Sequence, residues 1–201
     1  MASDTGIENL TKNLDFVKQL CQDLMVILPE FDITDEKILP YGLKPHTRSV
    51  SWIVEQVIVQ QMKFNGQKLG LSDVDFSMPD TCLHDCVVAT TKGRYHINVK
   101  ISNAGSTKKS KNDIAAVEKL FMQYTANPNY NLIYACFGIR FRNVHISFEP
   151  DYLKVFSPQF LDIYVNPRND KIQALYDHEP QLRTRKEFLR LLRTSSRSIA
   201  L

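Results

Sequence analysis

The sequence predicts an α/β domain, a central mixed β-sheet flanked by helices with a helical region at the N-terminus. Three observations carry this. Asp85 opens an apolar run, Lys92-Gly93 supplies a turn, and residues 94–102 alternate strictly, the pattern of a β-hairpin. Ile114, Val117, Leu120, Phe121 and Tyr124 then recur at helical spacing. Leu132 to Ile139 is almost continuously apolar, the mark of a strand covered on both faces. Strand, strand, helix, buried strand is an α/β order, and a helix between Ile101 and Leu132 makes those two strands parallel neighbours.

The remaining elements follow from the same rules. Leu10, Leu14, Val17, Leu20, Leu24 and Leu28 predict an amphipathic helix over 8–28, closed by Pro29. Pro29, Pro40, Gly42 and Pro45 make 29–46 a turn-rich connector. A second helix is expected from Thr47 or Ser49 to about Met62, with Val50, Ile53, Val54, Val57 and Ile58 toward the core. Residues 66–80 carry Gly66, Gly70 and Pro79, and 102–112 read as a flexible polar loop. Asn127-Pro128-Asn129 ends the third helix. Residues 142–148 and 160–165 read as strands, and 182–193 as a basic amphipathic helix. At 201 residues the chain suits one domain, 1–201. Within it, 1–46 form the helix and connector, 47–140 the core, and 141–201 the C-terminal strands and basic helix.

Composition is that of an ordinary soluble protein, 43% hydrophobic and 23% charged. The net charge of +3 neither demands nor excludes a nucleic-acid partner, so local distribution matters more. No acidic residue falls between Cys86 and Asn112, where six Lys and Arg lie, and Arg183 to Arg197 is a second basic segment. Both suit a phosphate backbone, and both also suit solvated faces. The four cysteines lack metal-site spacing and read as reduced, buried thiols. With no run of about 18 apolar residues and no basic-then-apolar leader, the expected location is the cytoplasm, away from membranes.

Function is written in the hairpin. Tyr95, Ile97, Val99 and Ile101 point to one face, while Arg94, His96, Asn98, Lys100 and Ser102 point to the other. With Lys92-Gly93 as the loop, Thr91 faces Arg94 and Asp85 lies directly across from Lys100, so Asp85, Asn98 and Lys100 converge. A carboxylate, an Asx residue, one residue and a lysine in this arrangement resemble the PD-(D/E)XK nuclease superfamily over roughly residues 50–140. The resemblance implies a restriction-endonuclease-like core and a metal-dependent endonuclease acting on double-stranded DNA, most like a type II restriction enzyme working as a homodimer. It implies Mg²⁺ as cofactor, a hard cation that prefers oxygen ligands. The implied metal set is Asp85, Asn98, Val99 and Glu55, with Lys100 orienting water and steadying charge on the phosphate. Glu55 enters because related nucleases place a glutamate on the helix before the catalytic hairpin; by its own setting it also suits a solvent-reaching edge position.

Asn98 departs from the family pattern, since its position calls for an acid. A natural amide and an Asp-to-Asn substitution both account for it, and Asn98→Asp is expected to raise cleavage at least about tenfold. Pro79-Asp80 spells the family's letters, but register favours Asp85 over Asp80 as first ligand. Arg94, Asn103, Ser106, Thr107, Lys108, Lys109, Lys111 and Asn112 are the expected DNA contacts. His96 suits a phosphate contact or a structural place. Alternatives to a restriction enzyme are a repair or junction-resolving nuclease of the same fold, and an inactive DNA-binding module on a nuclease scaffold.

Overall fold

Two long strands dominate the computed structural model, which describes residues 4–42, 50–79, 81–104, 112–174 and 179–195. β4 (Gly93–Asn103) and β6 (Leu132–Arg142) run parallel, with Ile97 beside Ile133 and Lys100 beside Cys136. The helix α3 (Val117–Ala126) makes the crossover between them. Around this pair the sheet extends antiparallel, through β3 (Cys86–Thr90) and β2 (Asp73–Asp75) on one side. On the other side lie β7 (His145–Phe156) and β1 (Phe31–Asp32). The order is β1-β7-β6-β4-β3-β2, a mixed six-stranded sheet. A second, antiparallel sheet of β5 (Asn112–Ala116), β9 (Lys171–Ala174) and β8 (Ile163–Asn166) lies outside it. The helices α1 (Asp4–Met25), α2 (Ser51–Phe64) and α4 (Arg185–Ser195) complete the α/β fold.

The sheet separates two apolar clusters, and β6 explains its own sequence by serving both. Ile133, Ala135, Phe137 and Ile139 join Tyr95, Ile97, Val99 and Ile101 of β4 beneath α1 and α2. Leu132, Tyr134 and Cys136 face the opposite cluster, with Leu120 and Tyr124 of α3 and Phe188 and Leu192 of α4. A strand buried on both faces has no polar side to show. In α2 the fully buried stripe is Val54, Ile58, Val59 and Met62, whereas Ile53 and Val57 are only partly covered and Trp52 is 63% exposed. Among the described residues, no helix is long and apolar enough to cross a membrane.

Several expectations change. The first helix spans Asp4–Met25, so Leu28 lies beyond it. The connector 29–46 contains β1, and 66–80 contains β2; both are too short to show a period. Asn112 and Ile114 belong to β5, and α3 begins only at Val117. Arg142 ends β6, and a turn with Asn143 at φ 56° leads into β7, which continues to Phe156. Residues 158–160 form a 3₁₀ turn ahead of β8. The expected start of α2 at Thr47 or Ser49 lies outside the described residues.

Two stability predictions follow from the β6–β7–β1 side. The β6–β7 register shifts between Cys136 and Gly138, and a Cβ on Gly138 would stand 2.4 Å from Cβ of Tyr152. Gly138→Ala is therefore expected to lower unfolding free energy by about 1–3 kcal/mol, measured by urea titration, because a packed strand must move. His145 of β7 bonds Asp32 of β1 at 2.7 Å and Glu30 at 3.3 Å, and these carboxylates, Asp32 foremost, raise its pKa. A raised folded-state pKa gives stability that is full below the ordinary histidine range and lost as pH rises through the raised value. The cluster is exposed, so the effect is small. Thermal midpoints of wild type and His145→Gln should differ most near about pH 6 and converge by about pH 9.

Candidate active site

The hairpin that frames the site turns one residue earlier than its sequence predicts. Thr90 pairs with Gly93, which makes Thr91-Lys92 the loop, and Thr90 Oγ1 accepts from the Lys92 N–H at 3.1 Å. Gly93 is not among the residues with positive φ, so its special freedom is not used. Relative to a Lys92-Gly93 loop, every rung moves by two residues: Ala89 faces Arg94 and Cys86 faces Ile97. A shift of two preserves side-chain parity, so the predicted faces survive while the rungs change. Asp85 is therefore not directly across from Lys100. The paired rungs end at Cys86–Ile97, and Asp85 lies just beyond them, reaching β4 at Ile97 and Val99.

At Asp85 the ladder also leaves strict register. Its N–H donates to Ile97 O at 2.9 Å, one residue short of Asn98. Side chains then take the place of rungs. Asp85 Oδ2 accepts from the Val99 N–H at 2.7 Å, and Asn98 Nδ2 donates to Leu83 O at 3.0 Å. A peptide carbonyl only accepts, so this bond fixes the orientation of the Asn98 amide. Asn98 is 7% exposed, and its Oδ1 is buried without a hydrogen-bond partner. Such an orphan acceptor is uncommon in a native interior, where water, an ion or another donor ordinarily completes it.

The electrostatics join the predicted residues. Burial raises the Asp85 pKa, against the pull of Lys100, the Val99 N–H and His84. Burial also raises Glu55 on α2, which feels Lys100 in the lowering sense and Asp85 in the raising sense. Burial, the largest cause at both, makes these carboxylates hold protons more readily than exposed acids, with Lys100 opposing it. Displaced pKa values of this kind cluster at functional sites. The donors present are hard oxygens: Asp85, Glu55, Asn98 Oδ1, and from Val99 only its backbone carbonyl, since its side chain is buried in the core. They suit Mg²⁺ in type. Among the described residues, no group of three or more His, Cys, Asp or Glu side chains stands arranged to hold a metal.

A neighbouring cluster was only half legible. His84 Nδ1 lies 3.3 Å from Tyr130 Oη, and the His96 ring packs against both residues, 5.0 Å from His84 and 4.6 Å from Tyr130. Burial pushes the His96 pKa down to about 4 and lowers that of His84. Held toward its neutral form and packed against His84 and Tyr130, His96 fits a structural place better than a cationic phosphate contact. Tyr130 has no chemical signature in the sequence; it follows Asn127-Pro128-Asn129 and anchors the segment that carries Asp85.

Other expected contacts stand apart. Arg94 is exposed near the start of β4, six residues and about 20 Å from Lys100 along the strand. Asn103 ends β4, half-buried, and Asn112 starts β5. Ser106, Thr107, Lys108, Lys109 and Lys111 lie outside the described residues, as does Asp80. Neither protein-family models nor curated proteins match the chain.

Proposed function

We propose that this protein is a metal-dependent endonuclease of the restriction-endonuclease-like class, acting on double-stranded DNA. The observation that carries the reading is the Asp85–Lys100 end of the hairpin. A half-buried carboxylate is tied to the Val99 N–H and coupled to Lys100 and Glu55, and Asn98, next to Val99, carries a buried, unpartnered amide oxygen. Buried polar groups left in this state disfavour the folded chain unless a ligand completes them. Asp85, Glu55, Asn98 Oδ1 and the Val99 carbonyl are the groups that would hold Mg²⁺. When bound, that ion supplies charge neutralisation and a more acidic water. Lys100 steadies negative charge developing on the phosphate, and the Val99 N–H and Ile97 carbonyl hold Asp85 in place for it. A type II restriction enzyme, a homodimer cutting a palindromic site, is the specific form proposed.

Incubating the chain with plasmid DNA tests this, with Mg²⁺ and with chelator. Cleavage into discrete fragments only with Mg²⁺ is expected. A continuous smear, or preference for branched duplexes, points to a repair or junction-resolving nuclease. DNA binding without cleavage under either Mg²⁺ or Mn²⁺ overturns the enzyme reading and leaves a binding module. Sedimentation with a palindromic duplex reads the dimer.

A further inference from the structure

A second site lies at the other end of β4. Beside the hairpin tip, α1, the segment before β6 and the start of α4 border a half-open polar cavity of about 740 Å³. Lys12, Lys92, Arg94 and Arg185 line it, with four asparagines, and no acidic side chain does so among the described residues. Four like charges around one hollow repel one another, so the arrangement disfavours the empty state and draws anions. Arg185 is built in: its guanidinium donates to the carbonyls of Tyr124, Asn127 and Tyr130 and lies over the Tyr124 ring. Lys12, Lys92 and Arg94 are exposed, and Arg94 also lies within electrostatic reach of Asp75.

The cavity is more than an anion hole. Its wall includes Gln159, 3% exposed, whose Nε2 donates to Arg183 O at 2.7 Å while its Oε1 is buried without a partner. An unpartnered acceptor calls for an N–H or O–H donor, such as the amino group of a base edge. The Phe16 and Tyr95 rings, stacked at 4.5 Å, add an aromatic wall. The volume falls within the range of small-molecule sites and far exceeds one phosphate. We propose that this cavity binds a nucleotide, its phosphates on Lys12, Lys92 and Arg94 and its base edge on the amides. The inference is independent of the nuclease reading, because the cavity and the Asp85–Lys100 end are separate.

Calorimetry at low salt with the full chain tests it, using ATP, pyrophosphate, adenosine and a short single-stranded oligonucleotide as probes. ATP is expected to bind with a Kd below about 100 μM and to weaken as salt rises. Pyrophosphate and adenosine should each bind at least about tenfold more weakly, since each satisfies half of the site. A Lys12→Ala, Lys92→Ala double variant, changed only at exposed positions, should lose at least about tenfold in ATP affinity. Oligonucleotide binding that the double variant loses, with ATP silent, would assign the site to a nucleotide unit within a strand. Pyrophosphate binding as tightly as ATP overturns the nucleotide assignment. An unchanged Kd in the double variant, or no binding of ATP or oligonucleotide, overturns the site.

Discussion

Lys100→Ala is expected to reduce Mg²⁺-dependent cleavage of duplex DNA by roughly 10²–10³-fold while leaving DNA affinity within a few fold. Lys100 is the cation to which both Asp85 and Glu55 respond, and it follows Val99, whose N–H donates to Asp85 Oδ2. One phosphate contact among many adds little to binding. A cation that meets charge as it develops acts on the transition state alone, so its loss lowers turnover. Single-turnover cleavage and filter binding, measured on the same preparations, separate the two. A parallel fall in binding and cleavage would make Lys100 an ordinary phosphate clamp. Lys100→Arg keeps the charge on a longer, planar group, and partial recovery there would support a positional role.

How far the sequence carried this site is a matter of parity and period. The alternation of β4 puts Asn98 and Lys100 on one face whatever the rung, so a turn misplaced by one residue left the face correct. The rung itself was not legible, because Lys92-Gly93 looks like a loop and Gly93 does not act as one. β6 was legible because eight consecutive buried positions need apolar residues. β1 and β2 were not, since two or three residues cannot display a period. β5 was absorbed into the helix because Ile114 lies at helical distance from Val117. Tyr130 and Gln159 were invisible for another reason. Their importance lies in what they meet across the fold, Tyr130 at His84 and Gln159 at Arg183, and no local pattern encodes such meetings. The cavity at the hairpin tip joins Lys12, Arg94 and Arg185, which sequence distance keeps apart.

The surroundings of Asn98 argue for the opposite sign in Asn98→Asp. From the family pattern alone, an acid at this position adds a charged ligand and raises cleavage. In the fold, Asn98 Nδ2 donates to Leu83 O, and a carboxylate would set oxygen against oxygen there. The lost bond leaves Leu83 O unsatisfied, and the new charge lies buried near Asp85, whose own pKa burial already raises. Lys100 offsets only part of this, since it already serves two carboxylates. Leaving a buried group unsatisfied costs about 1–3 kcal/mol, and like charge adds to it. The thermal midpoint of Asn98→Asp is therefore expected to fall by roughly 4–10 °C. Because the Leu83–Asp85 segment is what the amide holds, cleavage should fall with it, by at least about tenfold. On this account the asparagine is matched to its surroundings, with one end of the amide tethering Leu83 and the other available to a cation. Circular dichroism melting and plasmid cleavage, run on both proteins, decide the matter. A tenfold gain in cleavage with an unchanged midpoint would show that the site was built for an acid and that the amide is the substitution.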